Sequence, residues 1–201
     1  MDPVPERHLA AIRDHVATVN REKGSHGLDH VLRVTRLCER IGEEEGADPA
    51  ILIPASLFHD IARPRERETG VSHEEEGARV AEAYLRGIGY NAEKIPAIAA
   101  AIRTHRYRSE ERPGTLEAKI LSDADKLDAM GATGIARTFL RSGEHSGEIR
   151  DGREHIDEKL LKLKDRLYTR AAKRIAEERH EFLQIFAETL DRETGGITGN
   201  H

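Results

Sequence analysis

The sequence predicts an all-α protein, and three observations carry that prediction. Apolar residues recur at helical spacing in one segment after another, capping residues open and close those segments, and no stretch of useful length alternates apolar with polar residues. In chain order, Leu9, Ile12, Val16 and Val19 mark a first helix. His30 opens a second, in which Val31, Val34, Cys38 and Ile41 keep near-helical spacing. Asp48 followed by Pro49 reads as an N-cap with proline at the first helical position, and the apolar run behind it ends at the pair His59-Asp60. Ser72 with Glu75 reads as a capping box for a helix that passes through Ala81, Tyr84 and Leu85 to Ile88 and stops at Gly89. Asn91 caps a helix carrying Ile95, Ile98, Ala99 and Ile102, and Thr115 caps the one that holds Asp125. From Glu154 to about Asp191 the chain reads as helical again, with Leu160, Leu163, Leu167, Ile175, Phe182, Ile185, Phe186 and Leu190 as the apolar positions.

Pro54 and Pro96 fall inside helical patterns, where a proline removes a backbone hydrogen bond at a cost of about 3 kcal/mol. A kink or a late helix start is expected at each. Residues 63–71, 106–114 and 142–153 are charged and carry Pro or Gly, so they are expected as loops. The whole organises as one helical domain over residues 1–193, with 154–191 a carboxy-terminal helical extension packed on it and 194–201 a disordered tail. A second reading of the extension is a homodimer interface.

Composition excludes several function classes. A net charge of −5 and a pI near 6.1 argue against a general nucleic-acid binder, which carries a basic excess. No apolar stretch approaches the roughly 20 residues of a membrane span, and the amino terminus lacks a signal-peptide pattern, so a cytoplasmic protein is expected. Cys38 is the single cysteine, so no intramolecular disulfide forms, and its helical spacing makes it a packed thiol. A charged fraction of 34% with few Asn and Gln is a pattern shared with heat-adapted proteins.

His59-Asp60 is the most informative pair. Neighbours on a helix are turned about 100° apart, so both side chains converge only at a helix end or on a central point, and a metal ion is such a point. Imidazole and carboxylate together suit Mn, Fe, Co, Ni or Zn, with Mg where oxygens dominate. A lone His-Asp dipeptide carries little, but this one has His30 upstream and the cluster Asp123-Ala124-Asp125-Lys126 downstream.

The order His, then His-Asp, then Asp on three separate helices resembles the HD-domain superfamily of metal-dependent phosphohydrolases, over most of residues 20 to 190. The stretch from Asp123 to Arg137, followed by Glu158 to Lys164, is similar to its YedJ-type or YpgQ-like branch. The resemblance implies an HD-domain helical bundle in which His30, His59, Asp60 and Asp125 hold a divalent ion. It favours Asp125 over Asp123 because Lys126 and Leu127 follow it at once. Helical geometry agrees, since Asp123 points roughly 200° away and would be a supporting or surface carboxylate.

The resemblance further places His73 and His105 in the same cavity, as catalytic groups on the substrate phosphates or as ligands of a weakly held second ion. It suggests that His26 lines the pocket, and Arg63, Arg65, Arg67, Arg106, Arg108 and Lys126 surround the motif in sequence as the cations available to hold phosphate, Lys126 foremost. The remaining histidines, His8 and His15 among them, read as surface or packing residues.

Departures from other branches narrow the implied activity. The positions of the acidic pair that follows the HD motif in stringent-response nucleotide hydrolases hold Arg63 and Pro64, and the double histidine with Gly-Tyr-Pro of the cyclic-dinucleotide branch is missing. What remains is a pyrophosphohydrolase or phosphatase acting on nucleotides. No glycine-rich P-loop is present, which argues against ATP-driven chemistry. The alternatives are a nucleotide- or metal-binding helical module without turnover, and a two-metal phosphodiesterase or oxygenase.

Overall fold

Among the described residues, ten α-helices and two short 3₁₀ turns account for the secondary structure and no strand occurs, as the periodicity predicts. The computed structural model describes residues 5–20, 27–106 and 111–195, and of residues 67 and 68 the backbone alone. The chain divides into two compact units, Met1–Asp125 and Lys126–His201.

The first unit contains α1 (Glu6–Val19), α2 (Leu28–Glu45), α3 (Pro49–Phe58), α4 (Arg63–Thr69), α5 (His73–Gly87), α6 (Ile95–Arg103) and most of α7 (Leu116–Asp128). Its centre is α3. Residues 52–62 are buried without interruption, so this segment has no face for water and must be covered all round. Helices α1, α2, α5 and α6 supply the cover.

Several capping expectations hold. The Asp48 carboxylate accepts from the N–H of Ala50 at 2.8 Å, Ser72 from Glu75 at 3.4 Å and Thr115 from Ala118 at 3.2 Å, whereas Asn91 accepts from Glu93 at 2.9 Å in the turn before α6, whose N-cap is Lys94 without a side-chain cap. Pro96 sits in the first turn of α6, a late start. Pro54 instead stays inside α3. Its missing N–H leaves the Ala50 carbonyl without its helical donor, and the Tyr90 hydroxyl donates to that oxygen at 2.6 Å. Burial, with Asp48 adding to it, pushes the Tyr90 hydroxyl up to about 12, so it remains a donor. His15 stacks on Tyr84 with ring centroids 4.0 Å apart, and His8 lies against Tyr90, so both are packing residues.

Two of the three expected loops need correction. Residues 63–69 form helix α4: Pro64 lies in its first turn, and Gly70 closes it at φ +70°, returning its N–H to the Glu66 carbonyl at 3.0 Å. Charge and the Pro-Gly content hid a helix whose punctuation was itself helical. The segment 142–153 is mostly helical as well, because α8 (Gly131–Glu144) runs into it and α9 (Ile149–Glu158) begins inside it behind a Glu148–Asp151 capping box. Of the third, residues 107–110 lie outside the described residues.

In the second unit the run from Glu154 to Asp191 is interrupted. After α9 come the 3₁₀ turns Leu160–Lys162 and Lys164–Arg166, then α10 (Arg170–Glu193) behind the N-cap Thr169. Ile156, Leu160, Leu163, Leu167, Ile175 and Leu183 are buried there, whereas Phe182 and Ile185 are exposed. Gly134 in α8 admits no side chain, since a Cβ would stand 2.2 Å from the Ala129 carbonyl oxygen. Of the expected tail, residues 196–201 lie outside the described residues. Among the described residues no helix is long and apolar enough to cross a membrane.

Candidate metal centre

Helix ends bring the predicted residues together. His30 lies in the first turn of α2, His59 caps the carboxyl end of α3, Asp60 follows in the turn, and Asp125 sits in the last turn of α7. The α-helix ends at Phe58 and His59, still in helical dihedrals, leads into a turn closed by Ile61 N–H on Phe58 O at 3.0 Å, in which the neighbours His59 and Asp60 both reach one point, as the pairing requires. His73, the first residue of α5, and His105, just past the end of α6, approach the same carboxylate.

The geometry is close. His30 Nε2 lies 3.2 Å from His59 Nε2, 3.5 Å from Asp60 Oδ2 and 3.5 Å from Asp125 Oδ1. His59 Nε2 is 3.9 Å from Asp60 Oδ2. On the other side of Asp60, Oδ1 faces His73 Nε2 at 3.3 Å, His105 Nε2 at 3.8 Å and Arg63 Nη1 at 3.1 Å. His30, His59, Asp60, His73 and His105 are buried, whereas the Asp125 side chain keeps 28% of its surface exposed and is the most open of the four expected ligands.

Neighbouring backbone orients the rings. A carbonyl only accepts, so the 2.7 Å contact of His59 Nδ1 with Ser56 O places the hydrogen on Nδ1 and leaves an Nε2 lone pair aimed at the centre. Ser56 is held in turn by donation to Ile53 O at 2.8 Å. His105 Nδ1 donates to Ile102 O at 2.6 Å, and the Ser122 hydroxyl on α7 donates to His105 O at 2.9 Å. These lone pairs, with carboxylate oxygens beside them, are what a divalent ion takes up. Two sets, His30-His59-Asp125 and His59-Asp60-His105, each offer ligand atoms within 4.8 Å of one another.

Electrostatics reinforce that state for His59 and oppose it for His105. Burial holds His59 down at about 4 against the pull of Asp60, so its ring stays neutral. Burial alone would raise Asp60, but His59, His105, His30 and Arg63 together hold its carboxyl well below the usual range. Asp125 is lowered in the same way, burial opposing and His30, His59 and His105 prevailing. For His105 burial pushes down, yet its bond to Asp60 and the charge of Asp125 bring it above its ordinary value.

Other predicted residues take various places. Asp123 is fully buried, which excludes the surface reading. Arg63 reaches the centre itself. Lys126 is buried, its Nζ 5.1 Å from the centroid of the Tyr168 ring. Arg106 Nη1 is engaged by Glu66 at 3.1 Å and Glu74 at 3.3 Å. His26 lies outside the described residues. Glu66 and Ser122 were not foreseen. The i, i+3 spacing of Arg63 and Glu66, in a stretch punctuated by Pro64 and Gly70, is the signal that could have found Glu66.

An all-helical fold that gathers His, His-Asp and Asp from three helix ends defines the HD class, and the HD-domain family model matches residues 27–130, so the chain belongs to the HD-domain family. It is 35% identical over 186 residues to the uncharacterized protein YpgQ of Bacillus subtilis, covering 88% of each chain. The crystal structure of that YpgQ in complex with ADP superposes with a TM-score of 0.79 at 31% identity, covering 94% of this chain and 99% of that one. A predicted HD-superfamily hydrolase from an uncultured Thermotogales bacterium matches with a TM-score of 0.70 at 31% identity, covering 94% and 92%.

Proposed function

We propose that this protein is a metal-dependent phosphohydrolase acting on nucleotides, releasing phosphate or pyrophosphate from nucleoside or deoxynucleoside phosphates. The observation that carries the reading is the buried convergence of two imidazoles and two carboxylates at three helix ends, with the His59 lone pair turned inward. His30, His59, Asp60 and Asp125 would hold one divalent ion of the Mn, Co, Ni, Fe or Mg kind, zinc being admissible. Such an ion supplies a bound water of lowered pKa and positive charge against phosphate oxygens.

The chain's own groups account for the rest. Arg63, three residues beyond Asp60, and Lys126, next to Asp125, are the cations assigned to substrate phosphates. His73 and His105 are assigned to the reacting phosphate as hydrogen-bonding and proton-transferring groups. Arg106, held by two carboxylates, stands one step further back. A nucleotide is favoured as substrate because YpgQ, a relative over nearly the whole chain, crystallises with ADP.

A second reading, a two-ion centre, draws on Asp60 presenting one oxygen to each of two histidine pairs. Against it stands Arg63, whose Nη1 lies 3.1 Å from Asp60 Oδ1 and 3.4 Å from His73 Nε2, where a second cation would have to sit. The deciding experiment is a panel of nucleotides and phosphate esters with Mn, Co, Ni, Mg or Zn, reading both phosphate and pyrophosphate. Release well above the metal-only control is expected. Binding of ADP with no turnover on any member would replace the hydrolase by a binding module.

A further inference from the structure

Outside the four proposed ligands, one buried group is held from both sides. His73 is fully buried, and its Nδ1 lies 2.9 Å from Glu66 Oε2. A carboxylate at that distance accepts a hydrogen that Nδ1 must carry. The opposite nitrogen, Nε2, lies 3.4 Å from Arg63 Nη1, and a guanidinium only donates. That same Nη1 carries two hydrogens and also reaches Asp60 Oδ1 at 3.1 Å. Asp60 Oδ1 also lies 3.3 Å from Nε2, but the hydrogen bond at this nitrogen is the one from Arg63, so donor and acceptor together select the Nδ1–H tautomer.

Glu66 is itself anchored. Its other oxygen takes Arg106 Nη1 at 3.1 Å, and Arg106 also holds Glu74 Oε1 at 3.3 Å. Glu74 Oε2, buried and without a hydrogen bond, stands 3.5 Å from His73 Nδ1 as a second, more distant carboxylate. Helix α4 places Arg63 and Glu66 one turn apart, so a single short helix supplies the donor for one ring nitrogen of His73 and the acceptor for the other.

We infer that Glu66 is a positioning residue: it holds His73 in the Nδ1–H tautomer, so that Nε2 keeps its lone pair for the Arg63 guanidinium that bridges it to Asp60 at the edge of the metal centre. Only the kinetic consequence rests on the hydrolase reading above. A ring free to exchange its hydrogen between the two nitrogens would present a donor to the centre for part of the time and fail to accept there. Carboxylates that orient a histidine from behind in this way typically carry a 10–100-fold effect on activity.

The test combines a spectroscopic and a kinetic arm. In the metal-free, ¹⁵N-histidine-labelled protein at neutral pH, long-range ¹H–¹⁵N spectra, with His73 assigned by its loss in His73→Ala, should show a protonated Nδ1 and a bare Nε2. Glu66→Ala, and Glu66→Ala with Glu74→Met so that the second carboxylate cannot take over, should populate the Nε2–H form. Glu66→Gln, whose carbonyl still accepts from Nδ1–H, should keep the native tautomer. With ATP and Mn, the alanine variants should lose about 10–100-fold in kcat with KM within about twofold and bound metal unchanged, and Glu66→Gln should recover most of the loss. An unaltered tautomer in the double variant, a Gln variant as damaged as the Ala variant, or loss of a bound ion on removing Glu66 overturns the assignment. If wild-type protein fails to hydrolyse ATP, that counts against the hydrolase reading, and the tautomer spectra alone decide the role of Glu66.

Discussion

On one side of Asp60, Oδ2 meets the imidazoles of His30 and His59, with Asp125 close by and part of its surface open to water. On the other side, Oδ1 meets His73 and His105, and the guanidinium of Arg63 has settled between the carboxylate and His73. The ligand chemistry of the two sides is nearly the same, but the positive charge differs in origin. One side is arranged for a cation from outside, and the other carries one covalently. A pair of histidines beside a carboxylate is thus not enough to define an ion site, because a nearby arginine satisfies the same charge.

The strongest way to break the comparison is to remove a group from the open side. Asp125→Ala should abolish hydrolysis and metal retention, while Asp123→Ala, two residues back on α7, should leave the metal bound, at some cost in stability because Asp123 is buried. Elemental analysis of both purified variants checks this, and metal loss confined to the Asp123 variant would exchange their roles. Next in size, His73→Ala or His105→Ala should lower turnover by about 10²–10⁴ without lowering tightly bound metal. Two tight ions in the wild type, each histidine removing one, would instead make the sides equivalent.

Protonation sharpens the contrast in the metal-free protein. His59, held at about 4 by burial against about 6.5 when unfolded, should remain neutral well into acid. The unfolded chain then takes up that proton first, so the contribution is whole above about 6.5 and is lost as pH falls to about 4, by up to about 3 kcal/mol. His105, raised by Asp60 and Asp125 despite its burial, works in the opposite sense and loses its contribution as pH rises through its folded value. Histidine NMR titrations should show the two rings moving in opposite directions, and a common value for both would remove the distinction. The smallest expected effect is a count. Arg63→Ala should let the closed side take an ion, raising metal content from one toward two per chain in excess manganese, and a count that stays at one would show that Arg63 is not what closes it.

Much of this was legible in the chain itself. Periodicity and caps predict the helices because both depend on contacts within about four residues, and Asp48, Ser72 and Thr115 all cap where their side chains suggest. Where local signals conflict, reading fails. Residues 63–71 read as a loop on their charge, although Pro64 and Gly70 mark the two ends of a helix, and with that helix goes the place of Glu66. Pro54 argued for a kink or a late start, and nothing near it in sequence announces that Tyr90 would supply the donor its carbonyl partner needs.

By itself, then, the sequence determined the helical class, most helix starts and the identity of the groups at the centre, since these follow from residue type and short-range spacing. Tertiary structure alone decided which oxygen of Asp60 each histidine meets, that Arg63 stands where a second cation would, and that Asp123 is buried. Those facts depend on how side chains from α2, α3, α4, α5 and α7 meet across long stretches of chain, and on the charge balance they reach once water has been excluded.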